Sequence, residues 1–150
     1  MDITNLAKIT RQAHTSILPQ KNFNEDEKEA TLYGDLNIEL GRLFAVLGQD
    51  EEAKLTAYCK VLGAFLEVAN EKKWLYLLLL SEEKEQSLAN KWKVRSVSKT
   101  YLSLQQQVLK AYFERRDEYF IRAWHIFIKF GLTDLGFSSA QIEETFKDIY

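Results

Sequence analysis

Chain breakers are scarce in this sequence. One proline and six glycines fall in 150 residues, too few to punctuate a chain of many short strands and turns. Long helices are therefore favoured. Cysteine is nearly absent: Cys59 stands alone, which rules out an internal disulfide and a cysteine-based metal cluster and makes a reducing cytoplasm the expected compartment. Histidine is as sparse. His14 and His125 each lack a second ligand at zinc spacing, so both are read as structural and no zinc site is expected. Neither sign of charge dominates. The net charge of −2 argues against a general nucleic-acid binder, because such domains carry a basic excess. Long apolar runs are missing too. The longest, WLYLLLL at 74–80, is far short of the ~20 residues that cross a bilayer, so no membrane association is expected. The N-terminal MDITNLAKIT has an acid at its second position and no apolar stretch, and does not read as a signal peptide. There is no glycine-rich phosphate loop, no G-x-S-x-G elbow and no internal repeat.

What is present is a soluble globular composition, 46% apolar and 28% charged. A chain of this length forms one domain and buries roughly 68–70% of the surface its unfolded form exposes. Apolar spacing is helical throughout, and no segment alternates with period two. Ile3, Leu6, Ile9, Ala13 and Ile17 predict a helix over 2–17, capped by Asp2 and stopped by Pro19, with a loop over 20–25. A second helix is expected over 26–47, acidic in its first turn and followed by Gly48. Asp50 opens a third. Its main stripe is Leu55, Tyr58, Leu62, Phe65, Leu66 and Ala69, and a second face carries Ala57, Val61, Ala64 and Val68. A helix apolar on two sides is central in a bundle or lies at a subunit interface. This one either continues into WLYLLLL or breaks near Asn70. Ser81 caps a polar helix through about 92. Residues 97–115 are helical through Tyr101, Leu104, Val108, Leu109 and Tyr112, and Asp117 opens a helix with Phe120, Ala123, Trp124, Phe127 and Phe130. Ser138 and Gln141 form a capping box, with Phe137 and Ile142 at the positions of a hydrophobic staple, before a short last helix. The predicted fold is an all-α bundle of six or seven helices.

Most of the chemically suggestive residues have bland readings. Cys59 lies in an apolar stripe and is read as core. KWKVRSVSK, residues 91–99, interleaves bases with an aromatic but is short and isolated, and reads as a solvated inter-helix segment. Trp124 and its phenylalanine neighbours read as core. The exception is LNIELGRL, residues 36–43. Leu36, Leu40, Leu43 and Leu47 form one stripe, and Glu39 projects about 60° from it at roughly 100° per residue. A carboxylate so close to a core face is costly unless paired. Asp35, Glu39, Arg42 and Val46 share one ridge, and on position alone Glu39 and Arg42 read as an ion pair worth about 0.3–0.5 kcal/mol.

AWHIFIKFGLTDLGFSSAQIEETF, residues 123–146, resembles the C-terminal stretch of the dimeric all-α dUTPases, members of the all-α NTP pyrophosphohydrolase superfamily. NIELGRL, followed by LTAYCKVLGAFLEVA at 55–69, resembles that family's two signature helices. ITRQAHTSI resembles its N-terminal helix, where a glutamine contacts uracil; Gln12 matches it. The resemblance covers most of the chain in the right order. It implies a helical bundle, usually homodimeric, that hydrolyses dUTP to dUMP and pyrophosphate. It also implies an E-x-x-E motif facing an E-x-x-D motif, two carboxylate pairs that surround Mg²⁺ ions.

This chain departs from those motifs. The first reads Glu39-Leu40-Gly41-Arg42 and the second Ala57-Tyr58-Cys59-Lys60, with fourteen residues between them. Site charge shifts from about −4 to about +1, an environment hostile to a hard divalent cation. The family's basic loop after the first motif is replaced by the short LFAVLGQDEE, and its asparagine-containing tail has no counterpart in this sequence, which ends at Tyr150. The leading expectation is a dUTPase-like binding or regulatory protein without metal-dependent hydrolysis and without a cofactor. Gln12, Arg42 and Lys60 are its ligand-binding candidates, for a nucleotide or phosphate, and a protein partner is the other option. The alternative is an active pyrophosphohydrolase with relocated Mg²⁺ ligands at Asp35, Glu39 and Glu67, Glu39 being the catalytic remnant. A third reading is a regulatory module of the antirepressor type.

Overall fold

In a computed structural model, residues 1–13, 16–19 and 24–150 are described. Among them are seven α-helices and no strand: α1 (Ile3–Gln12), α2 (Glu25–Ala45), α3 (Glu51–Lys72), α4 (Glu82–Ala89), α5 (Val97–Glu114), α6 (Asp117–Lys129) and α7 (Ser139–Ile149). A 3₁₀ turn at Leu75–Leu77 and a π-type turn at Phe130–Asp134 join α3 to α4 and α6 to α7. The expected all-α bundle is what forms. No helix among the described residues is long and apolar enough to cross a membrane.

Helix starts follow local chemistry. The side chains of Asp2, Asn24, Asp50, Ser81, Ser96 and Ser138 each accept a hydrogen bond from a first-turn N–H, satisfying donors that the helix itself leaves open. The capping box of Ser138 and Gln141 is complete, and the staple residues Phe137 and Ile142 are both buried.

Helix ends are less local, and several differ from the predicted bounds. α1 stops at Gln12, not at residue 17, because Asp35 on α2 takes the backbone N–H groups of Ile17 (3.2 Å) and Leu18 (2.9 Å) on one carboxylate oxygen. α2 starts one residue earlier than expected and ends at Ala45, with Leu47 only half-buried. α3 neither runs into WLYLLLL nor breaks at Asn70. Lys73 takes a left-handed conformation (φ 60°), and the Trp74 N–H closes back on the Ala69 carbonyl at 2.9 Å, the geometry of a helix C-terminus. α4 ends at Ala89, short of 92. His14 and residues 20–23 of the expected loop lie outside the described residues.

α3 is the central helix. It packs against α1, α2 and α7, and ten of its residues, from Tyr58 to Ala69, are buried. Its two apolar faces are thus both consumed inside the bundle. α6 completes the core through aromatic contacts: Tyr58 stacks on Phe127 at 4.2 Å between ring centroids, and Phe65 meets Trp124 edge-on at 5.5 Å. Trp124 is fully buried, and its indole N–H donates to the Leu78 carbonyl at 3.0 Å. Cys59 is core as expected. Burial pushes its thiol up to about 12, and the thiol donates to the Ile142 carbonyl. Two residues of the predicted apolar stripes are exposed, Ile17 after α1 (39%) and Leu109 on α5 (44%); Thr100, Leu104, Val108 and Ala111 form the buried stripe of α5 instead.

Candidate functional site: the cleft between α2 and α3

α2 and α3 run antiparallel through the five-residue turn 46–50 and pack along their length. That pairing opens a cleft in two lobes sharing Glu39, Arg42 and Lys60. The lobe toward the turn, about 500 Å³, is lined by all four motif positions, Glu39, Arg42, Ala57 and Lys60, and by Asp50, whose carboxylate is occupied in capping α3. The other lobe, about 390 Å³, adds Asp35, Glu67 and Tyr150. Asp35, Glu39 and Arg42 of α2 and Lys60 and Glu67 of α3, five of the six residues singled out from sequence, thus meet in one cleft.

Each polar group in the cleft has a distinct state. Glu39 is buried, 7% exposed, and its Oε1 accepts from Arg42 Nη1 at 3.0 Å. The Arg42 side chain is 60% exposed and lines both lobes, so its remaining guanidinium donors are open to solvent. Lys60 is exposed and forms no ion pair with a described residue. Asp35 uses Oδ1 to hold the segment after α1, while its buried Oδ2 has no hydrogen-bond partner among the described residues. Glu67 and Lys60 line the same lobe, as their two-turn separation on one helix face requires.

Tyr150 is the site residue that sequence reasoning missed. It closes the inner lobe from the end of α7, with its hydroxyl against Gly63 of α3. A side chain larger than hydrogen at residue 63 collides with that hydroxyl, so the close approach requires glycine there. Burial, then the carboxylates of Glu67 and Glu39, raise the Tyr150 phenol well above its usual range. The phenol therefore stays protonated and is available as a hydrogen-bond donor. No local pattern in the sequence signals this, because 87 residues separate Gly63 from Tyr150. Gln12 is the one candidate the fold does not bring in. It is exposed at the end of α1, and its neighbour Ala13 lines the cleft instead.

The donor set does not fit a pair of divalent cations. Mg²⁺ requires several carboxylate or water oxygens in near-octahedral array. The four motif positions supply one carboxylate, already paired, beside two fixed cations. Asp35, Glu39 and Glu67 share the inner lobe, yet no three His, Cys, Asp or Glu side chains among the described residues form a group able to hold a metal ion. What the cleft offers is two cationic donors at its mouth, a phenol at its inner end and carboxylates that are largely committed. Compared with protein-family models, curated proteins and solved structures, the chain has no match.

Proposed function

We propose that this chain is a dUTPase-like helical bundle that has lost metal-dependent hydrolysis and binds an anionic ligand, a nucleotide or phosphate, directly through Arg42 and Lys60. One observation carries the reading. The four positions at which the resemblance calls for acids, Glu39, Arg42, Ala57 and Lys60, converge on a single cleft, yet one carboxylate remains among them and Arg42 neutralises it. Convergence supports the family register; the charge reversal supports the loss of the metals. Cations held in the place of metals meet phosphate oxygens by charge-assisted hydrogen bonds, the guanidinium as a bidentate donor.

The reading includes a homodimer. Leu102, Leu109 and Phe113 stand exposed at 64%, 44% and 73% on one face of α5, with Gln105 and Gln106 between the first two, and exposed large apolar side chains on a shared face favour association. A second copy is the proposed occupant because the same stripe on each protomer is self-complementary about a two-fold axis.

Isothermal calorimetry with dUTP, dUMP and pyrophosphate, in EDTA and in Mg²⁺, tests the ligand. Binding that persists in EDTA and falls at least about tenfold in Arg42→Ala/Lys60→Ala is expected. Release of pyrophosphate from dUTP at an ordinary enzymatic rate, on the order of 1 s⁻¹ or faster, would overturn it in favour of an active enzyme. Absence of binding under both conditions would leave the protein-partner version.

A further inference from the structure

The basic segment 91–99, read from sequence as a solvated connection, forms one wall of a second cleft on the opposite side of α6 from the core. This cleft, about 520 Å³, is lined by Lys91, Arg95 and Lys99 on one side and by His125 and Lys129 of α6 on the other, with Asp134 at its end. Four cations therefore face one carboxylate, in a chain whose net charge is −2. The carboxylate is consumed. Asp134 Oδ2 accepts from Lys129 Nζ at 2.9 Å, and Oδ1 accepts from the Val94 N–H at 2.7 Å. Lys91, Arg95 and Lys99 form no ion pair with a described residue.

The wall is fixed in place rather than loosely hung. Asp134 pins it at Val94, and the Thr133 hydroxyl donates to the carbonyls of Leu88 (2.7 Å) and Ala89 (3.2 Å) at the end of α4. Ser96 then caps α5 through the Lys99 N–H. Both ends of the basic segment are anchored, so its backbone is set before binding and only the exposed side chains of Lys91, Arg95 and Lys99 remain to be ordered. Burial, and then Lys84 and Lys91, lower the pKa of His125 below 6.5.

Unpaired cations held together repel one another, and an anion of matching charge relieves that repulsion. The remaining lining, Leu88, Val94, Ile126 and Phe130, is apolar, and the volume lies within the roughly 300–1,000 Å³ of small-molecule sites. We infer that this cleft is a binding site for a phosphorylated small molecule of nucleotide size, its phosphates held by Lys91, Arg95 and Lys99 and its apolar or aromatic body placed on the Leu88–Phe130 wall. This site is separate from the α2/α3 cleft and does not rest on the function proposed there.

The test uses ADP as probe, followed by calorimetry at low salt, with a thymidine oligonucleotide as competitor. In the Arg42→Ala/Lys60→Ala background, which silences the α2/α3 cleft, the expected result is one remaining ADP site that weakens at least about tenfold when Arg95→Ala/Lys99→Ala is added. Both altered side chains are exposed, and circular dichroism checks that the variant folds. Three results would overturn the inference: no ADP binding below about 1 mM, equal binding by the Arg95/Lys99 variant, or tighter binding of the oligonucleotide than of ADP. The last would make this wall a nucleic-acid surface.

Discussion

Arg42 donates to Glu39 across one turn of α2, at 3.0 Å, from an exposed guanidinium to a buried carboxylate. The pair is asymmetric, and so are the expected effects of breaking it. Arg42→Ala strips a buried carboxylate of its counter-charge and is expected to destabilise by about 1 kcal/mol, near the upper end for exposed pairs because Glu39 is desolvated. That corresponds to roughly 2–4 °C in melting temperature. In a Glu39→Gln background the same Arg42→Ala change is expected to cost little. Equal costs in both backgrounds, measured by urea unfolding, would show that the pairing is not what holds Arg42 in place.

Rebuilding the acids tests the lineage of the cleft. In the variant Arg42→Glu/Ala57→Glu/Lys60→Asp, four carboxylates line the lobe that Glu39, Arg42, Ala57 and Lys60 line now. Hard cations bind such oxygen sets with dissociation constants on the order of 10⁻⁵–10⁻³ M. Mn²⁺ binding in that range is therefore expected of the variant and not of the parent chain. A folded variant with no Mn²⁺ affinity by calorimetry or electron paramagnetic resonance would count against the four positions being a former metal site.

Two glycines that receive tyrosine rings are expected to respond differently to alanine. Gly131 lies against Tyr58, which is fully buried, stacked on Phe127 and hydrogen-bonded to the Phe127 carbonyl at 3.0 Å. That ring has nowhere to go, so Gly131→Ala is expected to cost about 1–3 kcal/mol. Gly63 lies against Tyr150, at the end of the last helix and only partly buried. There the ring swings outward, and Gly63→Ala is expected to open the inner lobe of the α2/α3 cleft at a smaller cost in stability. Denaturation midpoints that rank the two variants the other way would refute this account of the packing.

Alkaline pH is expected to destabilise the fold. Burial raises the phenols of Tyr33, Tyr58 and Tyr150 above their usual value of 10.0 and the thiol of Cys59 from 9.0 to about 12. In each case the folded state holds its proton more tightly than the unfolded state. The stabilisation is complete below the unfolded values and is lost as pH rises through 9 and 10 toward the folded values. Stability should fall above about pH 9, with a jump in phenolate absorbance at 295 nm on unfolding. Cys59 should react with thiol reagents at pH 8 only as fast as the chain opens; native-state labelling at the rate of a free thiol would contradict its burial.

The proposed dimer yields to a charge in its apolar stripe. Phe113→Glu places a carboxylate where the side chain is already 73% exposed, so the monomer fold should be unaffected. Sedimentation should then move from dimer to monomer. A parent chain that sediments as a monomer at micromolar concentration would remove the second copy from the reading.

Much of the fold is legible residue by residue, because caps and stripes are short-range chemistry. Asp2, Asp50, Ser81 and Ser138 each meet an N–H three residues along, and Tyr58, Leu62, Phe65, Leu66 and Ala69 fall on one side of any α3. Glu39 at the edge of a leucine stripe was legible as an anomaly for the same reason. Helix ends were not, since Asp35 decides the end of α1 from a different helix. Gln12, which the resemblance puts in the site, is exposed at the end of α1 and does not line the cleft, whereas Ala13 and Ile17 do. The basic segment 91–99 gave no hint of a wall, because Thr133 and Asp134, which anchor it, lie some forty residues on.

The sequence by itself determined an all-α bundle of six or seven helices, the caps at Asp2, Asp50, Ser81 and Ser138 and a helix apolar on two sides, all set by periodicity and backbone donors within one or two turns; the four motif positions came only from the family resemblance. Only the tertiary structure decided that Glu39, Arg42, Ala57 and Lys60 share a cleft, that Tyr150 closes it and that four cations ring a second one. Those relationships depend on how helices pack and where the chain returns, and dispersion and burial among distant side chains fix them, not any spacing along the chain.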